Sequence, residues 1–246
     1  NSSHTNASTP LIIGGAFNGV NWNADYKFDG YLSNVRVTKG SALYSGTSIT
    51  VPTAFLTTTS QSATASEVKL LTCQSKSFVD ESNSSHTLST VNSPRVTEFS
   101  PFNDGYWSNY FDGSGDELDI ANVDTAFGTS SDFTVEFWFN ASTINSAFKG
   151  IIDARDSADS DVRPGFWINT SNQLFYDVGG TAKITGTTTL VANRWYHVAA
   201  VRNSGTTTLY LNGTSEGTFS DSENYTSTTS FHVGERYTST AYNFHG

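Results

Sequence analysis

Acidic side chains that alternate along a strand could hydrolyse glycans, because that chemistry needs two carboxyl groups on one face. The strand-like stretch "DFTVEFWFN" carries one carboxylate, Glu136, with no second one two residues away. We expect this lone glutamate to be exposed and solvated. Glu117 and Asp119 in "DELDI" do alternate, but they fit the edge strand that opens a domain. The sequence therefore predicts that the chain is not an enzyme.

Nucleophilic catalysis has no better support. Cys73 has no histidine close to it in sequence. His197 in "RWYHVAAVR" shares a strand face with Trp195, Ala199 and Val201, which predicts a core residue satisfied by a backbone partner rather than a general base. No segment resembles a phosphate-binding loop, and no Cys/His spacing suits zinc.

Calcium is the cofactor that the acidic loops favour, because hard cations take several oxygen ligands. The first candidate cluster is "FDGSGDELD", which Asp80 of "FVDES" joins if the opening strands lie side by side. The alternative is that these residues form turns and are solvated at loop tips. The candidate ligands are Asp80, Asp112 and Asp116, with Asp119 close by, and a second cluster comprises Asp153, Asp156, Asp159 and Asp161.

Carbohydrate recognition would use aromatic side chains with neighbouring Asn or Arg, because sugar rings stack on aromatic faces and their hydroxyls need planar hydrogen-bonding groups. Loops in corresponding parts of the chain supply such residues. Each of them is also compatible with an ordinary surface position. The candidates are Trp22, Asn23, Tyr225, Arg236 and Tyr237.

Sequons for N-glycosylation are numerous, but Ser and Thr are so abundant that chance accounts for most of them. Modification matters only if a glycosylating host makes the chain. The acceptors are Asn1, Asn6, Asn83, Asn140, Asn169, Asn212 and Asn224.

The elements that must position these residues are predicted to be β-strands. In "DFTVEFWFN" the residues Phe133, Val135, Phe137 and Phe139 share one face, and the same alternation recurs in "QLFYDV", "RWYHVAAVR" and "TTLYLNG". Asn212-Gly213 suits the centre of a tight hairpin turn. Regular short strands without a convincing helix predict an all-β fold, an antiparallel β-sandwich.

Both faces of the predicted strands carry aromatic residues. Trp138 and Trp167 fall opposite the Phe and Ile residues of their own strands. We therefore expect one outer face of the sandwich to be an aromatic-lined surface.

Charge and composition exclude several classes of protein. The net charge of −10 and the pI near 4.7 disfavour nucleic acids and anionic membrane surfaces as partners. The single cysteine excludes an internal disulfide. No apolar run approaches the roughly 18 residues of a membrane span. Because neither a signal peptide nor an initiator Met is present, we expect a segment of a longer polypeptide.

Two pairs of similar segments indicate an internal repeat. "STPLIIGG" at 8–15 parallels "TTSFHVGE" from 228, and "YKFDG" at 26–30 parallels "YNFHG" at 242–246. We predict that residues 1–56 end one repeat, that 57–67 form a Ser/Thr-rich linker, and that 68–246 form a second repeat lacking its last strand.

An incomplete sheet exposes unpaired backbone groups, so a strand equivalent to 28–37 must complete the second repeat. We expect it to come from a following repeat, from a neighbouring copy, or from this chain's own N-terminal part. The residues that would fill the gap are Phe28, Tyr31, Leu32, Val35 and Val37.

The order of these segments resembles the laminin G-like members of the concanavalin A-like lectin and glucanase jelly rolls. The resemblance covers most of the chain. It is closest to the tandem-repeat variety found in marine phage virion and tail-fibre proteins and in large secreted adhesins. The pieces that carry it are "LLTCQSKSFVDES", "YFDGSGDELDI", "DFTVEFWFN", "GIIDARD", "GFWINTSNQLFY", "RWYHVAAVRNSGTTTLYLNG", "FHVGE" and "FDGYLSNVRVTKGSALYS".

The resemblance implies a jelly roll used for binding glycans or for building extracellular structure. Related domains carry a structural calcium near the opening strand, which favours the first acidic cluster. We expect a structural and adhesive protein of an extracellular or virion surface, with neighbouring copies and glycans as partners. The alternative is a carbohydrate-binding module of a larger secreted enzyme.

Overall fold

The chain folds into two stacked β-sheets, which confirms the predicted antiparallel β-sandwich. The computed structural model describes residues 10–15, 28–102, 105–114, 116–121, 127–154, 162, 164–225 and 232–234. Sheet I has the strand order β13 (Thr181–Thr189), β12 (Gln173–Val178), β11 (Pro164–Ile168), β10 (Lys149–Asp153), β18 (His232–Gly234), β1 (Pro10–Gly15), β7 (Glu117–Ala121) and β4 (Leu88–Val91).

Sheet II faces sheet I and carries most of the residues of the candidate functional site. Its order is β16 (Thr214–Ser220), β15 (Thr206–Leu211), β14 (Trp195–Asn203), β9 (Phe133–Ala141), β2 (Asp29–Lys39), β6 (Ser108–Asp112) and β5 (Arg95–Thr97), and β3 (Val68–Thr72) also pairs with β2. The short strands β8 (Gly128–Thr129) and β17 (Asn224–Tyr225) pair with each other, and residues Ser60–Ser62 form a 3-10 turn.

The core lies between the sheets and is built from the predicted alternation. Phe133, Val135, Phe137 and Phe139 of β9 are fully buried in it. The Phe137 ring meets the Phe166 ring of β11 edge to face, with centroids 5.3 Å apart. Such contacts hold the two sheets together largely by removing apolar area from water.

The tight turn predicted at Asn212-Gly213 joins β15 to β16. Leu211 and Thr214 are paired on either side of it, and the φ angles of the two central residues are 47° and 83°. Two successive positive φ angles are what a two-residue hairpin of this twist needs.

Within the single chain, strand β2 from the N-terminal part occupies the gap predicted in the second repeat, while the copy that supplies it in an assembly stays a prediction. Strand β2 lies between β9 and β6 and pairs antiparallel with both. Of the residues predicted to complete the sheet, Phe28, Leu32, Val35 and Val37 are at most 1% exposed in the core, and Tyr31 lies on the outer face.

Residues 40–63 cross the outer face of sheet II, and we call this segment the strap. The Tyr210 hydroxyl donates to the Gly46 carbonyl, and the Leu56 N–H donates to the Asn34 Oδ1, each at 2.7 Å. Ala63 packs with Leu56 in a small apolar cluster. The predicted linker thus begins as packed structure, while its role as a boundary between repeats stays a prediction.

Within the described part of the chain, no helix is long and apolar enough to cross a membrane.

Candidate functional site

Eight aromatic side chains come together on the outer face of sheet II beside the strap, and we call them the aromatic patch. Four project from the strands themselves. Three come from the connection between β5 and β6, and one comes from the strap. They are Tyr31, Tyr110, Trp138 and Trp195, then Phe99, Phe102 and Tyr106, and finally Phe55.

One half of the patch surrounds Tyr31. Its ring centroid lies 4.6 Å from that of Phe99, 5.0 Å from that of Tyr110 and 6.3 Å from that of Trp195. Phe99 and Trp195 are 5.3 Å apart. Strand pairing places these residues because Tyr31 is opposite Tyr110 on one neighbour and Asn140 on the other, and Asn140 is opposite Trp195.

The other half of the patch runs from Trp138 to the strap. The centroids of Trp138 and Phe102 are 5.7 Å apart, those of Phe102 and Tyr106 are 5.8 Å apart, and those of Tyr106 and Phe55 are 5.1 Å apart. The two halves adjoin because Trp138 and Trp195 are diagonal neighbours on β9 and β14.

The patch reaches solvent at both ends. Phe99 is 47% exposed and Phe55 is 41% exposed, which is unusual for such large apolar side chains. Tyr31, Tyr110 and Trp195 are half-buried. The patch therefore offers ring faces to a ligand rather than an enclosed pocket.

Polar groups adjoin the exposed rings. The Arg95 guanidinium lies over the Tyr110 ring, 4.9 Å from its centroid. Asp29 contacts the Tyr110 hydroxyl, and burial raises the pKa of its carboxyl above the usual range. The indole N–H groups of Trp138 and Trp195 are buried and have no hydrogen-bond partner among the described residues, so they do not face a ligand. Rings with an exposed guanidinium at their margin suit hydroxyl-rich ligands.

Cavities under the strap are a poorer candidate. Two hollows beside Tyr44 have volumes of about 190 and 300 Å³, and only the larger has a mainly polar lining. Sites for small molecules are mostly apolar and occupy roughly 300–1,000 Å³. The exposed patch is the more suitable surface for an extended ligand.

Beneath the strap, the outer face of sheet II carries a buried group of charges. Arg36 Nε donates to Glu136 Oε1 at 2.8 Å, the Tyr44 hydroxyl donates to Glu136 Oε2 at 2.7 Å, and His197 Nε2 lies 3.5 Å from the same oxygen. Burial raises the pKa of Glu136, but His197, Arg36 and Tyr44 outweigh it and the pKa falls below its usual range. The carboxylate is thus kept ionised and fully bonded.

The expectation that Glu136 is exposed was wrong. Its side chain is completely buried, because the strap covers it. His197 is also fully buried, as expected, but a carboxylate rather than a backbone group faces its imidazole. Glu136 holds the strap through Tyr44, and His197 packs against the Trp138 ring, with centroids 5.2 Å apart.

The alternating pair Glu117 and Asp119 lies on β7, which is not an edge strand as expected. It pairs with β1 on one side and with β4 on the other. Cys73 is buried, and burial raises the pKa of its thiol well above the usual range, so that it remains an unreactive thiol.

The predicted sugar-binding residue Tyr225 was wrongly placed at the surface. It is fully buried, its hydroxyl donates to Asp221, and its ring packs against Phe127 and Phe133. A ring without an accessible face cannot stack on a sugar. Trp22, Asn23, Arg236 and Tyr237 lie outside the described residues.

The predicted calcium ligands organise loops in the described structure. The Asp80 carboxylate accepts hydrogen bonds from the N–H groups of Leu71, Ser82 and His86. The Asp116 carboxylate accepts from the N–H groups of Ser93 and Asp112. No three His, Cys, Asp or Glu side chains within the described ranges are grouped to hold a metal ion. Calcium binding stays a prediction.

The sequons differ in accessibility. Asn140 is only 2% exposed inside β9, so the folded chain leaves no room for a glycan there. Asn169 is half-buried and its Oδ1 accepts from the N–H groups of Ser171 and Gln173. The exposed acceptors are Asn83, Asn212 and Asn224, whereas Asn1 and Asn6 lie outside the described residues.

The sequence correctly predicted that Trp138 lies on an outer face, but it did not predict the aromatic patch around this residue. Trp167, the other tryptophan expected on an outer face, is 1% exposed and stacks on Phe175. The missed signal was the aromatic density of "EFSPFNDGYW" at 98–107. A loop with so many rings must place them against another surface.

Comparison with known proteins gives one family. The laminin G model described as the concanavalin A-like lectin/glucanases superfamily matches residues 111–246, which is more than half of the chain. No curated protein matches the sequence.

One solved structure is similar, that of a Bacteroides ovatus protein described as a "putative carbohydrate binding protein". The identity is 12%, the alignment covers 92% of this chain and 79% of that one, and the TM-score is 0.26. At these values the similarity shows neither a shared fold nor a shared ligand.

Proposed function

We propose, since this chain belongs to the concanavalin A-like lectin/glucanases superfamily, that it binds glycans through the aromatic patch. The observation that carries the proposal is the exposure of Phe99 in one half of the patch and of Phe55 at the end of the adjoining half. Sugar rings present C–H groups that stack on aromatic faces, and their hydroxyls pair with exposed groups such as the Arg95 guanidinium.

Substitution of the exposed rings tests this proposal. We expect Phe99→Ala and Trp195→Ala each to weaken glycan binding roughly three- to tenfold, the usual worth of one aromatic contact. A glycan array identifies the bound class, and calorimetry with soluble β-glucan, xylan and mannan measures affinity. Val162→Ala, an exposed apolar residue between β10 and β11, is the control. Unchanged affinity in the patch variants would contradict the proposal.

The chain is proposed to bind rather than to cleave. Glu136 is buried and bonded to Arg36, so it cannot protonate or attack a substrate. Incubation with the same three polysaccharides should release no reducing sugars. Released sugars would indicate a hydrolase, with Glu117 and Asp119 as its candidate carboxyl pair.

We infer further that the chain is an adhesive structural unit of an extracellular or virion fibre, assembled from tandem repeats. The paired near-copies in the sequence support this, and linked weak sites gain effective affinity in an array. The alternative is a carbohydrate-binding module of a secreted enzyme. Tight and selective binding by the isolated chain would favour the module, whereas weak binding that rises steeply with valency favours the fibre.

A further inference from the structure

Arg36 connects the centre of sheet II to the strap above it. Its Nε and Nη2 donate to Glu136 Oε1, and its Nη1 donates to the Thr57 carbonyl at 2.8 Å and to the Ser60 carbonyl and hydroxyl at 2.9 Å each. Both charged side chains are completely buried. Glu136 fixes the plane of the guanidinium, and the guanidinium in turn fixes the backbone of residues 57–60.

Phe55 lies two residues before the segment 57–60 that Arg36 holds. Leu56 is fully buried, and its N–H donates to the Asn34 Oδ1. The chain direction is therefore set on both sides of Leu56, and Phe55 is turned outward, where its ring meets that of Tyr106 at 5.1 Å.

Burying two charges is costly unless every donor and acceptor is used. Here the remaining Glu136 oxygen accepts from Tyr44, another strap residue, at 2.7 Å. Apart from residues of the strands, the hydrogen-bond partners of Arg36 and Glu136 therefore belong mainly to the strap. An ion pair with this bonding restrains a loop in one position, which an apolar contact would do less specifically.

We propose that the buried Arg36–Glu136 pair positions Phe55 as the end of the glycan-binding surface. The inference rests on the proposed function, and it names residues that never touch the glycan. A purely structural pair would change stability alone, whereas a positioning pair changes affinity through Phe55.

A double-mutant cycle tests the inference by affinity electrophoresis in gels that contain soluble β-glucan, xylan or mannan. Phe55→Ala should weaken binding roughly three- to tenfold. Glu136→Gln, which keeps the side-chain shape, should weaken it by a similar factor. The double variant should be no weaker than Phe55→Ala, because the pair acts through that ring.

A milder variant covers the case in which Glu136→Gln does not fold. Ser60→Ala removes one acceptor of Arg36 on the strap and leaves the pair intact, and it too should lose affinity only when Phe55 is present. Equal affinity in Glu136→Gln or Ser60→Ala and the wild type would overturn the inference, as would additive losses. If the wild type binds none of the three polysaccharides, the proposed function itself fails.

Discussion

Folding raises the pH at which the Asp119 carboxyl loses its proton. Its side chain is 5% exposed on β7, and burial raises its pKa to about 8. In the unfolded chain the value is about 4. The folded protein therefore holds a proton that the unfolded chain releases between these values, so the contribution of this group to stability is fully present below pH 4 and is lost as the pH rises to 8.

Asp119→Asn should therefore stabilise the protein, and increasingly so at higher pH. We expect a gain of roughly 2 to 4 kcal/mol at pH 8 and a much smaller one near pH 4. Thermal unfolding followed by circular dichroism at both pH values measures it. Asp112→Asn, at an exposed position, is the control. A gain that does not depend on pH would show that Asp119 titrates normally.

Glu136 illustrates why residue environments were harder to predict than strands. Its alternation with Phe137 was visible in the sequence, and its outer-face position follows from that. Its burial depends on Tyr44, which lies 92 residues earlier in the chain. No local pattern encodes a contact of that length, so exposure was the wrong expectation.

At the scale of the strand, Gly30 fixes the approach of β2 to β9. Its φ is +154°, and a Cβ there would lie 2.1 Å from the Asn140 carbonyl oxygen. We expect Gly30→Ala to cost about 3 kcal/mol or more, because neither backbone can move without disturbing the sheet. Urea unfolding measures the loss.

Gly46→Ala is the matched control for Gly30→Ala. Its φ is +88°, but nothing lies within 4 Å of the added Cβ. It should therefore cost only the backbone strain of about 1 to 2 kcal/mol. Equal losses in the two variants would mean that the close approach of β2 to β9 contributes nothing.

Strands with a clean alternation could be predicted almost to the residue, as for β12 at Gln173–Val178. The aromatic patch could not, because its rings come from five separate parts of the chain: the strap, β2, the residues from 99 to 110, β9 and β14. Only the strand order of sheet II brings them together. The position of the site therefore depends on the strand order of the sandwich, which cannot be deduced from one sequence.

For the whole molecule, the two near-copies in the sequence meet in sheet I. Strands β1 and β18 run parallel, with Ile12 opposite His232 and Ile13 opposite Val233. Both strands are paired on their two sides, β1 with β18 and β7, and β18 with β10 and β1. The strand addition that we propose between copies of the chain therefore concerns β2 of sheet II.

A disulfide between β2 and β9 would show which chain supplies β2. Thr38 and Thr134 are directly paired and both are buried, and paired Cα atoms on antiparallel strands are about 4.5–5.5 Å apart, within reach of a disulfide. We would introduce Thr38→Cys and Thr134→Cys together with Cys73→Ala and oxidise the folded protein. If copies exchange β2, non-reducing gels should show a ladder of covalent oligomers.

The control for this disulfide experiment is an equal mixture of the single variants Thr38→Cys and Thr134→Cys. Exchange between copies must give a covalent heterodimer from the mixture, because each chain then carries only one of the two thiols. A closed monomer from the double variant, with no heterodimer from the mixture, would show that each chain completes its own sheet. The fibre would then have to be held by contacts other than strand addition, since β2 would have no vacancy to fill in a neighbour.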